Sequence, residues 1–343
     1  MNLQIPTPIS GGLILSYRCT ASCRHCMYAC SPRWSAEWIS EADLEAILQS
    51  LAGKIEPSPW GAATMSLNHG LHFTGGEPFL NFPLLCNAVR RAKELGIPSL
   101  FVETNCYWAK TDRGTREKLE VLREHGLIGI MISINPFYLE YVPFERSERA
   151  IRIAQEVFGV NVAVYQLEHY RTFKRLGIRG RLPIPEFLKI KGGGKLTRNT
   201  EFFLSGRAPY EMEEFDLFPK YPAESLFLKP CSPAFIRSWH NHFDSYGNFM
   251  PGYCGGLSLG DCRCLDELLV AGIDLDSRPL LSYIIADNFE GLLGFAKEHG
   301  YREREYGYLS KCHLCMELRK FLVRAEDFAE LAPREFYDQL ESG

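Results

Sequence analysis

The sequence predicts an α/β chain: a partial (β/α)6 TIM-like barrel over residues 1–215, then a small cysteine-rich extension over residues 216–343. Three observations predict it. Apolar runs of strand length alternate with amphipathic stretches of helix length over the first two-thirds of the chain. Repeated strand–helix units of this length require parallel strands joined by right-handed crossovers. After Pro230 the alternation stops, and short elements carrying cysteines take over. About six units are too few to close an eight-fold barrel, and chemistry in such barrels gathers at the carboxyl ends of the strands.

The predicted strands are Leu13–Tyr17, Leu71–Thr74, Leu100–Glu103, Ile128–Ile134, Val160–Tyr165 and Phe202–Leu204. Ser40 can cap a helix whose Leu44, Ile47, Leu48 and Leu51 share one face. Helices over Phe82–Leu95, Asp112–His125 and Ser147–Phe158 each stop at a glycine: Gly96, Gly126 and Gly159. The segment from Glu168 to Thr200 is less regular. Its Gly192–Gly194 run reads as a surface loop, because no Gly-Lys-Ser/Thr ending follows to make it a phosphate cradle. A last helix is expected around Met316–Ala329.

The chain has 343 residues and is 46% hydrophobic, enough for one large core and an appendage. A net charge of −4 with 23% charged residues gives neither a nucleic-acid footprint nor a polybasic membrane patch. Met1–Ile9 lacks the pattern of a secretion signal, and no apolar run reaches the ~18–20 residues of a membrane span. The expectation is a cytoplasmic protein with neither nucleic acid nor membrane as partner. In a reducing compartment its twelve cysteines point to metal binding or catalysis, not disulfides. Four fall between Cys19 and Cys30 and six between Cys231 and Cys315, while Cys86 and Cys106 read as buried structural thiols.

Cys19, Cys23 and Cys26 are spaced by three and two residues directly after a predicted strand. Three thiolates on one short loop can ligate three irons of a [4Fe–4S] cube and leave the fourth iron open. Zinc, with His25 or Cys30 as fourth ligand, fits the spacing as well. Gly75-Gly76-Glu77-Pro78 follows the next strand. Its glycines allow close backbone approach to a ligand, and Glu77 offers a negative charge to an ammonium group.

From Leu13 to Pro209 this order of motifs resembles the radical S-adenosylmethionine superfamily. The resemblance implies that Cys19, Cys23 and Cys26 hold the cluster and that S-adenosyl-L-methionine chelates the open iron. It makes Gly75, Gly76, Glu77 and Pro78 the cofactor-contacting turn, with Thr104, Asn105, Ser133 and Asn135 facing the cofactor from later strand ends. His25 stands where the family usually has an aromatic residue, and Asn135 where it has aspartate. Ser205-Gly206-Arg207 resembles a Gly-Arg-Ala segment of relatives with cysteine-rich tails; Arg207 reads as a carboxylate holder or a surface charge.

Cys312 and Cys315, two residues apart, open a predicted helix, and Asp244–Asn248 reads as a hairpin turn between Cys231 and Cys254. This layout resembles the twitch form of the SPASM extension and implies an auxiliary [4Fe–4S] cluster on Cys231, Cys254, Cys312 and Cys315. The Gly247-to-Cys254 spacing is longer than usual there, Cys262 and Cys264 are left unassigned, and structural zinc fits the same four cysteines. The implied activity is reductive cleavage of S-adenosylmethionine to a 5′-deoxyadenosyl radical, which abstracts a substrate hydrogen atom. The outcome would be a net oxidation, dehydrogenation or crosslinking of a peptide or small molecule, driven by a low-potential donor such as flavodoxin or ferredoxin. The few residues before Cys19 leave no room for a peptide-recognition domain, which points to a small molecule or short peptide. Two further readings stay open: a zinc-stabilised binding protein without catalysis, and an electron carrier whose first cluster is closed by Cys30.

Overall fold

A computed structural model describes residues 2–35, 38–228 and 230–341. Its centre is a seven-stranded sheet built from β1 (Ser10–Ile14), β2 (Gly70–Thr74), β3 (Phe101–Thr104), β4 (Gly129–Ser133), β5 (Val162–Tyr165), β6 (Asn241–Phe243) and β7 (Phe249–Met250). The strand order is β5-β4-β3-β2-β1-β6-β7, and every neighbouring pair is parallel except β6–β7. β1, β2 and β4 are buried along their whole length, as parallel strands covered on both faces are, and the polar Ser10, His72, Thr74 and Ser133 are buried with them. A separate antiparallel pair joins Asn2–Leu3 to Ile273–Asp274.

The crossover helices are α1 (Glu41–Leu51), α2 (Phe82–Glu94), α3 (Asp112–His125) and α4 (Phe144–Phe158). Ser40 caps α1 by accepting from the Asp43 amide at 3.0 Å, and Leu44, Ile47, Leu48 and Leu51 form its buried face. Each such buried side chain stabilises the fold by ~1.5–3 kcal/mol. Gly126 ends α3 in the left-handed conformation. α4 begins three residues before the predicted Ser147, because Phe144 is itself buried against Phe173. The irregular stretch holds short helices at Leu167–Arg175, Ile184–Lys189 and Gly193–Arg198, so the glycine run opens a helix turn. The last long helix, α5 (Lys311–Ala325), starts earlier than expected because the Ser310 hydroxyl caps it by accepting from the His313 amide. No helix among the described residues is long and apolar enough to cross a membrane.

One predicted strand does not form. Phe202–Leu204 has no ladder partner; the segment meets the end of β5 through the Gln166 side chain on the Glu201 carbonyl. Its rings serve tertiary packing instead, Phe202 edge-on to Phe137 at 5.4 Å and Phe203 stacked on Tyr253 at 4.8 Å. The sixth parallel strand comes from the cysteine-rich half, where β6 pairs with β1 on its far side. The expected hairpin turn joins β6 to β7. The Asp244 carboxylate accepts from the amides of Tyr246 and Asn248 at 3.0 and 2.8 Å and from the Tyr17 hydroxyl at 2.8 Å. That last bond ties the hairpin to the chain leaving β1.

Tyr17→Phe removes one donor from this buried carboxylate and is expected to lower stability by ~1–3 kcal/mol in denaturant unfolding. An unchanged midpoint would mean that Asp244 does not depend on Tyr17.

Candidate functional site

The loop after β1 carries the cysteines, and its two ends are pinned together. The Cys19 amide donates to the Ser31 carbonyl at 3.1 Å, and the Ser31 amide to the Tyr17 carbonyl at 3.3 Å. Inside the loop the Cys26 amide reaches the Cys23 carbonyl at 3.1 Å, a tight turn that sets the two-residue spacing. Cys19 and Cys23 are buried and Cys26 half-buried, and all three line one pocket at the carboxyl edge of the sheet. Cys30, Gly75, Gly76, Glu103, Asn105 and Ser133 line the same pocket.

Two contacts hold the loop against the barrel. On one side lies the turn after β2, whose Gly76 amide donates to the Ser16 carbonyl at 2.8 Å and whose Glu77 amide donates to the Arg18 carbonyl at 3.0 Å. A Cβ on Gly76 would stand 1.8 Å from the Arg18 oxygen, and Gly75 has φ +117°. Both glycines are therefore required by the cysteine loop itself, before any ligand is considered. On the other side is Arg207, fully buried. Its guanidinium donates to the carbonyls of Cys23 (3.0 Å), Ala29 (2.7 Å), Cys30 (3.1 Å) and Gln339 (3.3 Å). Arg207 thus holds neither a carboxylate nor a surface position; it clamps the loop to the C-terminal segment. Gly206 lets it in, since a Cβ there would lie 2.5 Å from the Met27 oxygen.

The other predicted residues divide into two groups. Thr104 Oγ1 and the Asn105 amide donate to the Glu77 carboxylate at 2.9 and 2.8 Å, and the Phe79 amide does so at 3.2 Å. Glu77 is therefore buried behind the turn, where it organises the turn and the end of β3. Pro78 opens the short helical turn Pro78–Asn81. Asn105 points the other way, with Nδ2 3.7 Å from Cys19 Sγ. Ser133 reaches the pocket, whereas Asn135 is committed elsewhere. Its Oδ1 caps the Phe137 amide at 3.0 Å and its Nδ2 meets His25 Nε2 at 3.1 Å. His25 in turn stacks on Phe137 at 4.8 Å, so it fills the aromatic role at that position.

Glu103, at the end of β3, faces the pocket and accepts from Thr74 Oγ1 at 2.6 Å. The sequence holds a signal for it, an acidic residue closing a predicted barrel strand. Burial pushes both Glu77 and Glu103 up to about 7. Among the thiols, burial pushes Cys19 up to about 12, with the nearby Glu77 adding to it, and Cys23 well up. Cys26 falls to about 6, chiefly because Cys30 hydrogen-bonds to its sulfur; the Cys30 amide lies 3.3 Å away. Buried sulfurs around one pocket suit a bound cation, which would displace their protons.

In the second group, Cys231, Cys254, Cys312 and Cys315 are close enough for charge on one to disfavour charge on another, and burial pushes Cys231 and Cys254 up to about 12. Arg319, one turn beyond Cys315 on α5, is buried beside Cys254 and Cys315 and donates to the Gly255 carbonyl at 3.0 Å. Cys262 lies apart, among Asp244, Asp261 and Arg263, and Cys264 is exposed. Cys86 is only half-buried, whereas Cys106 is fully buried.

Residues 13–133 match the family model of a 4Fe-4S single cluster domain, a span that contains the cysteine loop, the glycine turn and the ends of β2, β3 and β4. A comparison with curated proteins gives no match. Among solved structures the chain is similar to native anSMEcpe with bound AdoMet, at 15% identity and TM-score 0.43 over 92% of this chain and 98% of that one. It is similar to BtrN in complex with AdoMet and 2-DOIA, at 14% identity and TM-score 0.38 over 85% and 87% of the two chains. Streptococcus suis SuiB bound to S-adenosylmethionine aligns at 15% identity and TM-score 0.39 over 72% and 61%.

Gly76→Ala is expected to push the turn away from Arg18 and cost iron at the first site while the protein still folds. Iron analysis and circular dichroism read the two effects; a wild-type iron content would show that the loop does not need this contact.

Proposed function

We propose that the chain is a radical S-adenosylmethionine enzyme, with a [4Fe–4S] cluster on Cys19, Cys23 and Cys26 and S-adenosyl-L-methionine on the open iron. One observation carries the reading: three cysteines of a span matching a 4Fe-4S single cluster domain face one pocket, against a glycine turn at the carboxyl edge of a parallel sheet. When bound, cluster and cofactor together supply an electron to the sulfonium, a 5′-deoxyadenosyl radical, and abstraction of a substrate hydrogen atom.

The chain's own residues prepare the site. Arg207 and the Gly75–Gly76 turn hold the loop by its backbone, leaving the sulfurs free as ligands. Asn105 Nδ2 directs a donor at Cys19, and the Cys30 amide directs one at Cys26, the kind of contact that tunes a cluster's potential. Glu103, Ser133 and the backbone of Gly75 and Gly76 offer polar groups to the cofactor.

Cys231, Cys254, Cys312 and Cys315 would hold an auxiliary [4Fe–4S] cluster. Structural zinc on the same four cysteines is the other reading, and iron and acid-labile sulfide analysis after anaerobic purification separates the two. A second cluster suits removal of an electron from a substrate radical, hence net oxidation, dehydrogenation or crosslinking of a peptide or small molecule. A cytoplasmic flavodoxin- or ferredoxin-type donor would feed the first cluster.

The electron-carrier reading draws on one observation, the presence of Cys30 in the first pocket. Its amide donates to the Cys26 sulfur at 3.3 Å while its thiol lies 3.9 Å from the Tyr28 carbonyl, which supports reading Cys30 as a hydrogen-bond donor to a ligand. Anaerobic incubation with reductant and S-adenosylmethionine separates the readings. Wild type is expected to form 5′-deoxyadenosine, Cys23→Ala none, and Cys30→Ala to retain the activity. Equal loss in both variants would show that cluster assembly needs Cys30 as well as the triplet, whereas no product from wild type with its first cluster assembled would favour the closed cluster and sink the proposal.

A further inference from the structure

Deep in the barrel, beside the pocket, three histidines meet. His72 on β2 and His242 on β6 both lie in register with Gly12 of β1, one on either side of it, so their rings converge over that residue. His240, just before β6, completes a triangle with ring centroids 5.2–5.6 Å apart. One ring nitrogen from each lies within 4.8 Å of the others, and among the described residues no other trio of histidine, cysteine or acidic side chains is so close. Gly12 makes the space: a Cβ there would stand 2.4 Å from His72 Nε2 and 2.7 Å from the His242 ring.

The rings are prepared as ligands. His240 Nδ1 lies 2.8 Å from the Leu67 carbonyl and His242 Nδ1 2.8 Å from the Gly252 carbonyl. A carbonyl only accepts, so each Nδ1 carries the proton and each neutral ring keeps its lone pair on Nε2. Backbone carbonyls fix metal-binding histidines in this way. His72 Nε2 is buried without a hydrogen bond, although Glu103 Oε1 stands 3.4 Å away. A buried nitrogen without a hydrogen bond is costly, and a ligand there would satisfy it. Burial, with the neighbouring imidazoles adding to it, holds His72 and His242 well below the ordinary histidine range, and burial also lowers His240. His240 has φ +54°, a left-handed conformation that costs a non-glycine residue energy and aims its ring into the cluster.

We propose that His72, His240 and His242 bind one divalent transition-metal ion through ring nitrogens, with Glu103 in reach as a further ligand. Three imidazoles and a carboxylate suit zinc or iron(II). This ion is distinct from anything held by the cysteines, and the proposal does not rest on the function assigned to them. Glu103 also lines the cysteine pocket, so its carboxylate stands between the two sites.

The test is cobalt(II) binding to the full chain after anaerobic iron–sulfur reconstitution has filled the cysteine sites. Cobalt on cysteine shows strong thiolate charge transfer in the near ultraviolet; cobalt on imidazole shows only the weaker visible bands. The expected result is a single further cobalt per chain with visible bands and no added charge transfer, lost in His240→Ala and in His242→Gln. Circular dichroism checks that these variants fold. Wild type needs no such control: no cobalt beyond that on thiolates would overturn the proposal, as would cobalt bound equally well by folded variants of both histidines.

Discussion

The site depends on how the backbone of the cysteine loop is held. A loop of this length cannot keep three side chains converged by itself, because fixing each residue costs ~1–2 kcal/mol of backbone entropy. Here the cost is met by hydrogen bonds that leave the sulfurs out. The amides of Gly76 and Glu77 take the carbonyls of Ser16 and Arg18, and Arg207 takes those of Cys23, Ala29 and Cys30. A buried guanidinium without a carboxylate is expensive in isolation. Its placement under the loop makes sense if negative charge gathers there, since Arg207 favours the thiolate forms of Cys23 and Cys26.

The same contacts join the two halves of the chain. Arg207 reaches the Gln339 carbonyl, Ser31 Oγ donates to the Gln339 side chain at 2.8 Å, and β6 extends the sheet beside β1. The cysteine-rich half therefore supplies a barrel strand and part of the support of the first loop. It also supplies two of the three converging histidines, so the barrel interior is shared between segments far apart in sequence.

Much of this was legible from residues alone. The strands β2 to β5 and helices α1 to α4 announced themselves through apolar periodicity and capping, and the cysteine triplet and glycine turn through their spacing, whereas β1 lies three residues before the expected Leu13–Tyr17 because Ser10, Gly11 and Gly12 pair with β2 without giving an apolar signal. What stayed hidden depends on three-dimensional register. Phe202–Leu204 has strand composition, but nothing in its residues says that the sixth parallel position is taken by Asn241–Phe243. Gly75 and Gly76 read as room for a ligand, yet their first neighbour is the Arg18 backbone. Asn135 matched a motif position, but capping and His25 occupy its side chain. His72, His240 and His242 converge only because two strands 170 residues apart flank Gly12 in one register.

The central claim is that one iron of the first cluster is free of protein sulfur and takes the cofactor. Electron–nuclear double resonance of the reduced protein with S-adenosylmethionine labelled with nitrogen-15 at its amine reads this contact directly. A resolved nitrogen-15 coupling to the cluster spin is the expected result. A spectrum that does not change when the labelled cofactor is added, from a protein whose first cluster is assembled, would contradict it.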